Sequence, residues 1–134
     1  MYLLDTNVIS ELRKPKPHGA VLSWLRATPE ADLNISAVSL GEIQAGIELT
    51  RDQDPVKAAE IEAWADQVAV SHNVLPMDAR IFRLWAQLMH HQSDTVYEDA
   101  MIAATALAHG LTVVTRNVRD FARFKSPTLD PFVG

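Results

Sequence analysis

Cysteine is absent from the 134-residue chain, which removes any disulfide framework and any thiolate metal site. No apolar run approaches the roughly 18 residues needed to cross a bilayer. The N-terminus has no basic region followed by an apolar core, so no signal peptide is expected. Together these point to a cytoplasmic protein. Glycine is sparse, at five residues, and no glycine-rich phosphate loop occurs. Positive charge is in deficit, with 12 Lys+Arg against 17 Asp+Glu and a net charge of −5. Such a chain does not coat nucleic acid by bulk attraction. The deficit leaves room for a small acidic site that takes a cation. There is no internal repeat, low-complexity tract or linker. What is abundant is apolar: 48% of the residues are hydrophobic, too many for a disordered chain and enough for the core of one domain.

The apolar pattern predicts alternating strands and helices, hence an α/β class with a mostly parallel sheet of a single domain over 1–134. Tyr2-Leu3-Leu4 reads as a short buried strand ending at Asp5, with a helical turn behind it. Pro15 and Pro17 interrupt that turn, and Val21, Trp24 and Leu25 then share a helix face. Alternation over Ala31–Ser36 suggests a second strand. A helix carrying Leu40, Ile43 and Ile47 follows, then one opened by Asp54-Pro55 and running to about Val70. Asn73–Pro76 is a very short strand, and Asp78 caps a helix with the clearest stripe of the chain, Ile81, Leu84, Trp85, Leu88 and Met89. Tyr97 to Ala108 is Ala-rich and apolar almost all round, with Gly110 as its terminator. Leu111–Thr115 is a β-branched strand, and Thr128-Leu129 a short last one. The three tryptophans lie on helix faces and read as core or interface residues.

Four acids stand out, each with an ordinary structural alternative. Asp5, at the carboxyl end of a strand, either caps the following turn or lies where open α/β sheets place ligands. Ser39-x-x-Glu42 fits a capping box. A helix begun at Ser36 instead places Glu42 in its second turn, on a face with Val38, Ser39, Ala45, Gly46 and Leu49. Asp99 suits the dipole at the start of the Ala-rich helix, yet its face through Ile102, Ala103 and Ala106 should point inward. Asp120 follows the last β-branched strand within a turn, and Asn117 competes with it for the same place. Considered jointly, Asp5 and the segment Thr115–Asp120 follow two strands, while Glu42 and Asp99 lie on helices packed against them. Carboxylates converging in one crevice raise one another's pKa unless a divalent cation neutralises them. Oxygen donors without Cys or a committed His suit Mg²⁺ or Mn²⁺ better than Zn²⁺. The histidines do not compete: His90 and His91 are adjacent and diverge by about 100° on a helix, and His18, His72 and His109 fall at loops or helix ends. Two basic clusters, Arg13, Lys14 and Lys16 early and Arg116, Arg119, Arg123 and Lys125 late, are either solvated faces or anion contacts.

Four blocks in order, Leu3-Leu4-Asp5-Thr6-Asn7-Val8, Gly41-Glu42-Ile43 with Gly46-Ile47, Glu98-Asp99-Ala100-Met101-Ile102-Ala103-Ala104-Thr105-Ala106, and Val114-Thr115-Arg116-Asn117 with Asp120-Phe121, resemble PIN-domain ribonucleases. The chain is most similar in pattern to VapC/FitB-like toxins of bacterial toxin–antitoxin pairs, over essentially its whole length. The resemblance implies a sheet of four or five parallel strands flanked by helices and an acidic site for Mg²⁺ or Mn²⁺. Matched by motif, the acids are Asp5, Glu42 and Asp99, with Asp120 as the candidate for a fourth position that varies in the family and where Asn117 is the other option. Thr6 and Thr115 match hydroxyl positions behind the acids, and Asn7 an amide that orients the Asp5 loop; Arg116 is either placed to meet a phosphate or a surface residue. The resemblance further implies metal-dependent hydrolysis of RNA and an antitoxin partner that occludes the site. Homodimers, toxin–antitoxin assemblies and operator-DNA binding through the antitoxin are implied as well. The segment Asp52–Val70, with Trp64, is a candidate clamp for the partner or simply packed helix. A phosphotransfer receiver or haloacid-dehalogenase-like phosphatase is the main rival. Asp5-Thr6-Asn7 lacks the second acid of that phosphatase motif, and no lysine follows Val113-Val114. A PIN fold that binds without turnover is the other alternative.

Overall fold

The computed structural model describes residues 1–133; Gly134, the last residue of the domain expected over 1–134, lies outside the described residues. Five strands form one sheet in the order β3-β2-β1-β4-β5: β1 Tyr2–Leu4, β2 Leu33–Ser36, β3 Asn73–Leu75, β4 Thr112–Val114 and β5 Thr128–Leu129. Every pairing is parallel, with Leu4 beside Ile35 on one side and Val114 on the other. The chain builds outward from β1 through β2 to β3, then crosses back to place β4 and β5 on the opposite flank. The strand order therefore reverses between β1 and β4, and their carboxyl ends form the crevice that such a reversal opens.

The pleat sorts side chains onto two faces. Leu4, Ile35 and Val114 point toward one layer, built from α1 Thr6–Glu11, α2 Gly19–Ala27, α3 Ala37–Gln53 and α4 Pro55–Ser71. Leu3 and Val113 point to the other, where α5 Ala79–Met89, α6 Tyr97–His109 and α7 Val118–Ala122 contribute Ala100, Ile102, Ala103, Ala106 and Phe121. Alanine on this face of α6 lets the helix sit close to the sheet. Gly110 terminates α6 in the left-handed region, at φ 66°, where a side chain would be strained.

Local signals placed most boundaries. Asp54 and Asp78 cap α4 and α5 through their side chains, onto the amides of Lys57 and Ile81. Several expectations need correction. The second strand begins at Leu33, because Glu30–Asp32 forms a 3-10 turn. All four of its residues are buried, since a central strand is covered on both faces; the alternation reflected hydrogen-bonded polar groups, with the Asn34 amide donating to the Tyr2 carbonyl and accepting from Asn73. The α3 face assigned to Glu42 is open rather than buried at Ala45, Gly46 and Leu49, the last 72% exposed. Of the α5 stripe only Ile81 is fully buried; Leu84, Trp85, Leu88 and Met89 are half-buried. His90 and His91 do not diverge, because α5 has ended before them. His91 adopts φ 68° and the two rings lie 3.9 Å apart between centroids.

Candidate active site

Asp5 is the buried centre of the crevice, 6% exposed. It caps α1, its Oδ1 accepting from the Thr6 amide at 2.8 Å. The other oxygen, Oδ2, accepts from the Thr115 hydroxyl at 2.8 Å and from the Asn7 side-chain amide at 3.2 Å. Capping thus occupies one oxygen of the carboxylate and leaves the other to the bonds at the crevice. Thr115 is fully buried and lies just beyond β4, beside the end of β1. Its hydroxyl also accepts from the Asn117 amide at 3.0 Å and from Asn7 at 3.4 Å. Asn7 closes the loop by accepting the Arg116 amide on its Oδ1 at 3.3 Å. Three donors normally hold a carboxylate below its usual pKa. Burial outweighs them here and, with the charge of Asp120, leaves Asp5 raised.

Glu42 reaches the crevice because α3 starts at Ser36, whose hydroxyl accepts from the Val38 amide. The capping box from Ser39 is therefore not formed. Ser39 is instead fully buried and accepts the Thr6 hydroxyl at 2.9 Å, tying α1 to α3 one turn before Glu42. Burial first, then the facing carboxyl of Glu98 and the charge of Asp5, push Glu42 up to about 8. Asp99 lies in the first turn of α6. Burial, then Asp5, Asp120 and Glu98, push it up to about 6, with Arg123 opposing. Asp120, half-buried on α7, faces this group, as its influence on both Asp5 and Asp99 records. Asn117 is exposed and its backbone, not its side chain, makes the contact with Thr115. The Arg116 guanidinium lies over the ring of Phe132, 4.0 Å from its centroid, and its charge acts on Glu11.

Two contacts escaped the sequence reading. Ser39, read as a cap or as a neighbour of Glu42 on one helix face, bonds to Thr6 on α1. Glu98 enters the sequence reading only within the block around Asp99. Its pairing with Glu42 joins α6 to α3, and no local signal carries such a contact.

The acids raise one another, as a set awaiting a cation does, and every donor is a carboxylate oxygen, which suits a hard divalent ion. Among the described residues, however, no three His, Cys, Asp or Glu side chains stand close enough to hold one ion together. The chemistry of the donor set fits a divalent cation; the side chains stand apart.

Between α1, α3 and α4 runs a groove of about 330 Å³ that begins at Thr6 and Glu42 and reaches Ile61 and Trp64. No helix among the described residues is long and apolar enough to cross a membrane.

A parallel α/β sheet with this strand reversal and carboxylates near its carboxyl edge defines an open α/β fold with its ligand crevice at the reversal, and known proteins make the class specific. The PIN domain family model matches residues 2–126, and the chain belongs to that family. It is 33% identical to Toxin FitB of Neisseria gonorrhoeae over 128 residues, covering 90% of this chain and 91% of the relative. It is 35% identical to VapC ribonuclease Y4jK of Sinorhizobium fredii over 144 residues, covering 98% of each. Among solved structures, FitAcB from Neisseria gonorrhoeae superposes with a TM-score of 0.88 at 30% identity over the whole of both chains. FitAB bound to an IR36 DNA fragment gives 0.86 at 30% identity, covering 98% of this chain and 96% of that one.

Proposed function

We propose that residues 1–134 form one PIN domain that acts as the toxin of a toxin–antitoxin pair and hydrolyses RNA phosphodiester bonds at the crevice of Asp5, Glu42, Asp99 and Asp120. The observation that carries this reading is the position of Asp5. It is buried at the strand reversal, held by Thr115 and Asn7, and in electrostatic contact with Asp99, Asp120 and Glu42. Relatives called a toxin and a ribonuclease along nearly the full length of the chain support it.

The cation under this reading would be Mg²⁺, with Mn²⁺ as the alternative, and Asp5, Asp99, Glu42 and Asp120 are the residues that would hold it. Such an ion, when bound, neutralises the carboxylates, lowers the pKa of water and offsets charge on the phosphate. The protein does the rest. Thr115 and Asn7 fix the Asp5 carboxylate in one orientation. The Thr6–Ser39 hydrogen bond sets the spacing of α1 and α3, and so the approach of Glu42 to Asp5. The helix dipole of α6 favours the charged form of Asp99.

The antitoxin docks, in the same reading, along the groove from Glu42 to Trp64, where apolar Ile43, Ile47 and Ile61 alternate with polar Thr50 and Arg13. The segment Asp52–Val70, by sequence a candidate clamp or simply packed helix, contributes Ile61 and Trp64 to one wall of it. The structure of FitAB bound to DNA supports assigning operator binding to the complex rather than to this acidic chain alone.

One observation favours a non-catalytic RNA-binding module instead: the acids do not converge on one point among the described residues. RNA cleavage with Mg²⁺, with Mn²⁺ and with EDTA separates the two. Wild type should cleave only with a divalent ion, and Asp5→Asn and Asp99→Asn should be inactive though folded. Cleavage by either substituted protein at the wild-type rate overturns the site. Co-purification with the product of a small neighbouring gene, lost when Trp64 is replaced by alanine, tests the groove.

A further inference from the structure

The structure sorts the two basic clusters. Lys14 is spent on Glu11, its Nζ 2.7 Å from Oε2 of that buried carboxylate, which also accepts the His18 amide at 2.9 Å. Arg116 is different. Its backbone is anchored at the crevice, one residue beyond Thr115 and bonded to Asn7. Its side chain is exposed, and it forms no ion pair among the described residues. It is nevertheless not loose. The guanidinium rests on the face of Phe132 at 4.0 Å. Phe132 is held in turn by the edge of the His18 ring at 5.2 Å and by its own amide, which donates to Asp130 Oδ1 at 2.8 Å.

An exposed cation–π contact adds little energy, so its main consequence is orientation. A guanidinium held over a ring face leaves N–H donors available, and their fork matches a phosphate. Side-chain entropy that RNA binding otherwise removes is already lost in the free protein. Cations at the rim are also needed here, since Asp5, Asp99, Asp120 and Glu42 all repel a polyanion; Arg123 already opposes that charge at Asp99.

We propose that Arg116 binds an RNA phosphate flanking the scissile bond, and that Phe132 is its positioning residue, holding the guanidinium ready at the rim. The proposal rests on the RNA-hydrolysing reading given above and adds a substrate contact to it.

The test compares Arg116→Gln, Arg116→Lys, Phe132→Ala and Phe132→Tyr with wild type, using a short randomised single-stranded RNA as substrate with Mg²⁺. Binding of the same RNA is measured across a salt series in an Asp99→Asn background that does not cleave. Arg116→Gln should raise KM roughly tenfold, the range for losing one charge-assisted contact, with kcat within about twofold. It should also reduce the salt-dependence slope by about 0.7, one phosphate contact on a single strand. Arg116→Lys keeps the charge and the slope but not the planar fork, so its KM should fall between the two. Phe132→Ala should raise KM by roughly threefold and Phe132→Tyr restore it, because the first removes the ring beneath Arg116 and the second keeps it. Unchanged KM and slope in both Arg116→Gln and Phe132→Ala overturn the proposal. So does a fall in kcat at unchanged KM, the mark of a loosened Asn7–Asp5 loop. Failure of wild type itself to cleave any RNA overturns the functional reading, and this contact with it.

Discussion

Replacing Glu42 with glutamine should stabilise the metal-free protein in alkaline solution while removing RNA cleavage. In the folded protein the Glu42 carboxyl is pushed from 4.5 up to about 8 by burial, by Glu98 and by Asp5. A raised carboxyl keeps its proton more tightly in the folded state than in the unfolded one. The stability associated with that proton is therefore complete below about pH 4.5 and is lost as pH climbs through about 8. At about 1.36 kcal/mol per pH unit, the full displacement corresponds to ~5 kcal/mol. Solvent reaches the half-exposed carboxyl, which reduces the effect to ~2 kcal/mol. Urea unfolding in EDTA, followed from about pH 5 to about pH 9, should show wild type losing ~2 kcal/mol more than Glu42→Gln over that window. Asp99 titrates within the same range in both proteins, so the difference between the curves belongs to Glu42. Saturating Mg²⁺ should shrink the wild-type loss, because a cation favours the ionised carboxylate. Parallel curves for the two proteins in EDTA would show that Glu42 is not held protonated by its neighbours, and the electrostatic account of the crevice would fail.

Thr115→Val removes the hydroxyl that donates to Asp5 at 2.8 Å and accepts from Asn117 and Asn7; a fall in kcat/KM of roughly 10–100-fold is expected, at a stability cost of ~1–3 kcal/mol. The acidic limb of its pH–rate profile should move to higher pH, since the lost bond favours ionised Asp5, and an unmoved limb contradicts the role given to Thr115. Asp120→Asn should lower activity and Asn117→Ala should not, because only Asp120 acts on Asp5 and Asp99; the opposite ranking in the cleavage assay returns the fourth position to Asn117. Gly110→Ala should cost ~1–2 kcal/mol in thermal unfolding without affecting cleavage. The added methyl meets nothing within 4 Å, and the loss comes from φ +66° alone.

Much of the fold was legible locally. Leu3-Leu4-Asp5 marked a strand end, Asp54-Pro55 and Asp78 marked helix starts, and Gly110 marked a stop, because propensity, capping and chirality act over a few residues. The boundary at Leu33 and the exposure of Leu49 were not legible, since burial on one face or two depends on which layers cover an element. The candidate acids were legible as types at intervals in the chain, and the family pattern tied them together. Their roles within the crevice were not. A strand order of β3-β2-β1-β4-β5 is what brings Thr115 to Asp5 across 110 residues of sequence. The approach of α6 to α3 makes Glu98 the neighbour of Glu42, and the packing of the last strand turns Arg116 onto Phe132. The sequence by itself determined the elements and the supply of oxygen donors. The tertiary structure decided which donors share a field, because hydrogen bonds and charge effects depend on distance through space, and that distance is set by sheet order and helix packing.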